Sequence, residues 1–351
     1  MENKPNYDIV ISSETMTKIV SYKYDLCAKK ATSGCYLMES LNASQSQLNQ
    51  MTTTEELVTL LLLTKKPMIF AESEIRGDGS DWNEMELQIL GELGIAMNVE
   101  IYDNGVWEPR NSNFSTHVPP LNGTLLFIPG PLLDQVCPDL KEVTSGNNID
   151  QDKYNLLIER RLMPLLYYAN ENAKKENMLA LITCPGVGCG AFAGRFCGQM
   201  GEHLNQALQY ILKKHAHNFD NIACVYFDPF SECSNESHQF VNVKYRIRPE
   251  LQNPDMSQLC NPKQYEESGD NFSNCKLFKI VAWDHASFPG NDYFAGSRYT
   301  DDGVSAAATN SMEVITGIKG STKDVTQNNI FKRAASLLNL TAHIPLDILF
   351  Q

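Results

Sequence analysis

Asp284, Asp292, Asp301 and Asp302 share the stretch 283–303 with Trp283, Phe288, Tyr293 and Phe294. A merely solvated acidic loop has no need of those aromatic residues. Carboxylates packed among them lose hydration, which raises the pKa of at least one and fits it for general-base work near neutral pH. The aspartates do not follow the EF-hand spacing. Clustered carboxylates could still take Mg²⁺ through hard oxygen ligands.

A second segment is suited to holding an anion. In Cys184-Pro-Gly-Val-Gly-Cys-Gly-Ala-Phe-Ala-Gly194, glycines crowd the space between an apolar run at 178–182 and a helical pattern over 195–214. A loop of this kind can aim backbone N–H groups at one point above a helix N-terminus, which favours a phosphate. Gly186, Val187, Gly188, Cys189, Gly190, Ala191 and Phe192 are its candidate ligand-binding residues. The register is not that of a Rossmann fingerprint. Counting from Gly186, the sixth position is Ala191, and no acidic residue ends a following strand at the usual separation. No Gly-Lys-Ser/Thr follows, so it is not a P-loop. A cysteine nucleophile at Cys189, with His285 as its base, is a further reading. Cys184, Cys189, Cys197 and His203 could be drawn as a zinc set but lack paired C-x-x-C knuckles.

These loops need a frame. Short apolar runs at 68–71, 99–102, 125–128, 178–183, 222–227 and 277–283 alternate with helical patterns over 83–98, 152–175, 195–214, 304–317 and 327–338. The alternation predicts an α/β fold with a largely parallel or mixed sheet and helices on both faces. In the helix after the glycine loop, Phe196, Met200, Leu204, Leu208 and Leu212 form one apolar stripe, so that helix docks on the sheet. Residues 1–66 read as a mostly helical, polar segment, in which 22–41 and 45–64 have mixed periodicity. The stretch 235–274 is polar and aperiodic, and reads as a surface insertion.

The chain has 351 residues and a net charge of −13. That acidity argues against nucleic-acid binding, which needs a basic footprint, and suits a cationic or arginine-bearing substrate. No apolar run is long enough to cross a bilayer, and the N-terminus lacks the apolar core of a Sec signal. The ten cysteines are irregularly spaced and read as reduced.

The glycine loop resembles the phosphate loop of macrodomains, and is closest to the poly(ADP-ribose) glycohydrolase branch, where Gly-Cys-Gly-Ala-Phe-Gly-Gly precedes a helix. The aspartate loop is similar to that of Legionella effectors that are macrodomain ADP-ribosylhydrolases and remove ADP-ribose from an arginine of modified ubiquitin. The resemblance covers residue 67 onward. It implies a macrodomain-like mixed sheet sandwiched between helices, with 1–66 as an N-terminal helical extension and an insertion near 235–274.

By the same resemblance ADP-ribose lies on residues 186–192 with Asn291 and Phe294. Asp284, Asp292 and Asp302 assist attack of water, with Asp284 the principal residue and Asp301 solvated and facing away. The partners implied are ADP-ribose and an ADP-ribosylated protein, ubiquitin, with no cofactor, and the place of action is a host cytosol. The glycohydrolase Gly-Gly-Gly…Gln-Glu-Glu signature is absent, which puts poly(ADP-ribose) cleavage by that mechanism in doubt. A macrodomain that binds ADP-ribose without cutting is the competing class.

Overall fold

The structure is a computed structural model that describes residues 7–43, 52–66, 75–107, 114–134, 137–290 and 298–316. The elements are β1 (Asp8–Val10), α1 (Ser13–Cys27), α2 (Cys35–Ala43), α3 (Thr54–Leu63), α4 (Glu84–Glu92), β2 (Gly94–Asp103), β3 (Thr116–Pro129), α5 (Pro138–Val143), β4 (Thr144–Ser145), β5 (Asn148–Ile149), α6 (Gln151–Lys175), β6 (Leu179–Pro185), α7 (Met200–His215), β7 (Ile222–Asp228), β8 (Glu236–Phe240), β9 (Val243–Ile247), β10 (Cys275–Trp283), α8 (Asp301–Ala308) and α9 (Ser311–Thr316).

Among the described residues the main sheet runs β1-β2-β3-β10-β6-β7-β9-β8. The strands β3, β10, β6, β7 and β9 are parallel, with antiparallel neighbours at both ends. The last strand in sequence, β10, fills the place between β3 and β6. Pro129 therefore pairs with Trp283, and Pro185 with Asp228, along one carboxyl edge. In open α/β sheets, ligands bind outside that edge.

Alternation along β10 divides the core. Phe278 and Ile280 join Leu126, Ile182, Leu157 of α6 and Leu208 of α7 on one face. Leu277, Val281 and Trp283 join Ile19 of α1, Leu61 of α3 and Leu90 of α4 on the other. Burying each such side chain contributes about 1.5–3 kcal/mol. Helix starts are set locally. Thr53 with Glu56 and Asn83 with Glu86 form capping boxes for α3 and α4, and Asp150 caps α6.

Three expectations are corrected. The helix expected over 83–98 stops at Glu92, where Leu93 turns extended, and 94–98 opens β2. Gly94 to Met97 are buried on both faces between β1 and β3, which erases the alternation that marks a strand. The helix expected from residue 195 begins at Met200. A short 3-10 turn, Ala191–Phe196, precedes it, and Gly194 and Gly198 have positive φ. The stretch 235–274 is not wholly a surface excursion, for it supplies β8 and β9 and buries Tyr245, Leu259 and Tyr265. Its polar, exposed β8 hides the hairpin. The N-terminal segment likewise adds β1 to the sheet as well as its helices. Runs at 68–71 and 327–338 lie outside the described residues.

Candidate active site

The loop after β6 is a succession of tight turns. Val187 N donates to Pro185 O (2.8 Å), Cys189 N to Gly186 O (3.0 Å) and Ala193 N to Gly190 O (3.0 Å). Among the described residues no acceptor takes the amides of Gly188, Gly190, Ala191 and Phe192. Gly190 and Ala191 are exposed. Backbone amides without a protein acceptor at the carboxyl edge of a parallel sheet are able to take an anion. Gly188 is required there by conformation and by space. Its φ is +76°, and a Cβ would sit 2.7 Å from Pro131 Cδ. The loop after β3 thus braces the glycine loop, and Leu133 N donates to Phe192 O (2.7 Å).

Gly201 N, in the first turn of α7, donates to the Glu232 carboxylate at 2.7 Å. One of the first amides of that helix is thus already taken by a protein carboxylate.

Asp284 stands at the carboxyl end of β10 and is 6% exposed. Its Oδ1 accepts from Ala286 N (2.7 Å) and Ser287 N (2.6 Å), and its Oδ2 is bonded to Ser287 Oγ. The carboxylate is therefore held by its own turn. Trp283 Nε1 closes that turn on Ser287 O (3.0 Å). The same segment returns at Gly290, whose N–H donates to Asp302 Oδ1 (2.7 Å). Asp284 and Asp302 are both buried and are joined through this one loop. Asp292, Asn291 and Phe294 lie outside the described residues.

Asp301 is not solvated, which corrects the expectation. It pairs with Lys279 Nζ at 2.5 Å and accepts from Ala282 N at 2.8 Å. Lys279 is fully buried on β10 and also donates to Ser305 Oγ (2.8 Å). A lone ammonium in that interior would be costly, so the ion pair requires Asp301 to face the strand. It anchors the first turn of α8 and sets the place of Asp302. Burial makes the carboxyl of Asp228, on the end of β7, less acidic. Amides of Phe230 and Glu250 and the Gln258 side chain oppose that rise.

His285 does not serve Cys189. Its ring is buried against Gly91 of α4, where a Cβ would fall 2.4 Å from Nε2, and lies 3.2 Å from Asp139. Burial lowers its pKa, against the pull of Asp139. Burial also opposes ionisation of Asp139, but Arg161 at 2.7 Å and His285 outweigh it and hold that carboxyl well below the usual range. Cys137 completes a buried Cys-Asp-His group. Burial pushes its thiol up to about 12, with Asp139 adding to the rise. With Arg161 already on Asp139, the group reads as an internal ion network. Cys189 is itself buried, and burial raises its thiol well above the ordinary value, with Glu232 beside it. That is the reverse of an activated nucleophile. His203 is bonded to Gln151.

Lys65 was given no role by its sequence, where it only closes a leucine run. In the fold it is 2% exposed and reaches the aspartate turn. Gly130-Pro131 was equally silent, although a glycine at the end of an apolar run marks a place where a loop approaches closely.

A mixed sheet with helices on both faces, a glycine loop of free amides and an acidic turn on its carboxyl edge define a macrodomain. The model of the family described as Macrodomain effector MavL matches residues 7–334, and the chain belongs to that family. Comparison with curated proteins gives no match. Membership links the chain to ADP-ribose chemistry. No helix among the described residues is long and apolar enough to cross a membrane.

Proposed function

We propose that this protein is an ADP-ribosylhydrolase that removes ADP-ribose from arginine of a modified protein, with ubiquitin of a host cell as the substrate we favour and the host cytosol as its place of action. The observation that carries the reading is the pairing of two loops on one sheet edge. One offers free amides at Gly188, Gly190, Ala191 and Phe192, and the other offers the fixed carboxylates Asp284 and Asp302.

The pyrophosphate lies on the loop 186–191 through the amides of Gly188, Gly190 and Ala191, and Phe192 packs near the distal ribose. Asn291 and Phe294, outside the described residues, are further ligand contacts that the resemblance implies. Water attacks the anomeric carbon as the bond to the arginine nitrogen breaks. One carboxylate takes the proton from water, and the guanidine leaves with the electron pair of the broken bond. That same proton then passes from the carboxyl to the guanidine, which restores the carboxylate and the arginine guanidinium. Another carboxylate stabilises the oxocarbenium-like charge and holds the guanidinium through paired hydrogen bonds. Asp284 is the principal catalytic residue, with Asp292 and Asp302 as its partners. A carboxylate locked by its own turn is preorganised for developing positive charge. These steps use no metal, so a chelator in excess leaves the release rate unchanged.

Two experiments separate this reading from a non-catalytic ADP-ribose reader. Calorimetry with free ADP-ribose tests the loop, and release of ADP-ribose from arginine-modified protein tests the carboxylates. Binding without release by the wild type makes the protein a reader.

A further inference from the structure

The N-terminal segment enters the site through one side chain. Lys65 follows α3, and its amine donates to Asp284 O (3.0 Å) and His285 O (2.7 Å). It lies over the Trp283 ring at 3.9 Å. Next to it, Lys66 N donates to Ala286 O (2.6 Å), and Phe288 N donates to Lys66 O (3.1 Å). Residues 65–66 thus run beside the aspartate turn as a short parallel bridge. Trp82 fixes the approach by donating from Nε1 to Thr64 Oγ1 (2.7 Å).

A buried lysine is costly, because its polar head leaves water. Packing alone would be served by methionine or leucine. What the amine adds is two donors for two successive carbonyls. Those carbonyls belong to Asp284 itself and to the next residue, and the amides of the same turn hold the Asp284 carboxylate. Charged or neutral, the amine has at least two N–H bonds to give. We infer that Lys65 is a positioning residue of the hydrolase, a clamp from the N-terminal segment that fixes the turn bearing Asp284. The inference rests on the reading of Asp284 as catalytic, and it makes residues 1–66 part of the active unit.

The test uses the full chain and the variants Lys65→Met, which keeps the stem and deletes the donors, and Lys65→Arg, which keeps donors. Hydrogen exchange of the Ala286 and Ser287 amides is measured without substrate. In Lys65→Met it is expected to quicken by about tenfold or more, while amides of β3 and β6 keep their protection. Binding of free ADP-ribose is expected to change by less than about threefold. Release from arginine-ADP-ribosylated ubiquitin is expected to slow about 10²-fold in kcat with KM little changed, because a misplacement of about 1 Å at a reacting group has that effect. Lys65→Arg is expected to recover part of both losses.

Unchanged exchange at Ala286 and Ser287 in Lys65→Met overturns the clamp. Loss of protection throughout the sheet also overturns it, since Lys65 would then only support the fold. A wild type that releases nothing overturns the hydrolase reading instead, and the exchange measurement still decides whether Lys65 holds the turn.

Discussion

Single residues in this site are restrained by what burial does to charge. Burial lowers the pKa of Lys65 to about 7, against the opposing pull of Asp284. Between about pH 7 and about pH 10 the unfolded chain keeps a proton that the folded chain has released. Stability therefore rises with pH through that window, by up to about 1.4 kcal/mol per pH unit from this group. Below about pH 7 both states are protonated and the contribution is flat. Urea denaturation of wild type and Lys65→Met at several pH values checks this. The wild type gains relative to the variant as pH rises from about 7, and parallel curves would remove Lys65 as the source. None of this was legible in the sequence, because Lys65 follows Leu60-Leu61-Leu62-Leu63-Thr64 and looks like the polar end of a helix. Asp301 misled for a similar reason. Its partner Lys279 sits inside the apolar run 277–283, where a charge gives no hint of its direction.

At the scale of elements, two loops and one helix start decide the geometry. The glycine loop depends on Gly188 lying against Pro131 of the neighbouring loop. Gly188→Val would place a branched side chain at φ +76° and against Pro131, a strain of about 1–3 kcal/mol. ADP-ribose affinity measured by calorimetry is expected to fall about tenfold or more, and an unchanged Kd would detach the loop from the ligand. The start of α8 depends on the Asp301–Lys279 pair. Asp301→Asn leaves a fully buried ammonium without its anion and is expected to lower unfolding free energy by about 3–5 kcal/mol. A loss under about 1 kcal/mol in chemical denaturation would show the pair to be of the weak surface kind.

The strands at 125–128, 178–183, 222–227 and 277–283 were legible because each is a mostly apolar run, broken in the last only by Lys279, as buried parallel strands are. Residues 94–98 and the hairpin β8–β9 were not. The first is buried on both faces as far as Met97, with Ile95 the one β-branched residue before Val99, and the second has a polar, exposed outer strand. The glycine loop was placed correctly, but the helix after it begins five residues later than its apolar stripe suggested, since Phe196 belongs to the stripe without being in the helix.

For the whole molecule, the insertion of β10 between β3 and β6 brings together loops far apart in the chain. On the proposed function the phosphate-holding half comes from the loops after β3 and β6, and the carboxylates from the loop after β10 and the first turn of α8. The N-terminal segment joins them through Lys65 and Lys66. The proposed function separates holding from cutting, so it predicts different signatures for substitutions in the two halves, loss of affinity in one and loss of turnover in the other. The most direct test is incubation of arginine-ADP-ribosylated ubiquitin with wild type and with Asp284→Asn, read by intact mass. Wild type is expected to return ubiquitin lighter by one ADP-ribose, and the variant to do so slower by about 10²–10⁴-fold while still binding free ADP-ribose. An unchanged mass with wild type on this and other arginine-modified proteins, or equal rates for the two proteins, would contradict the account.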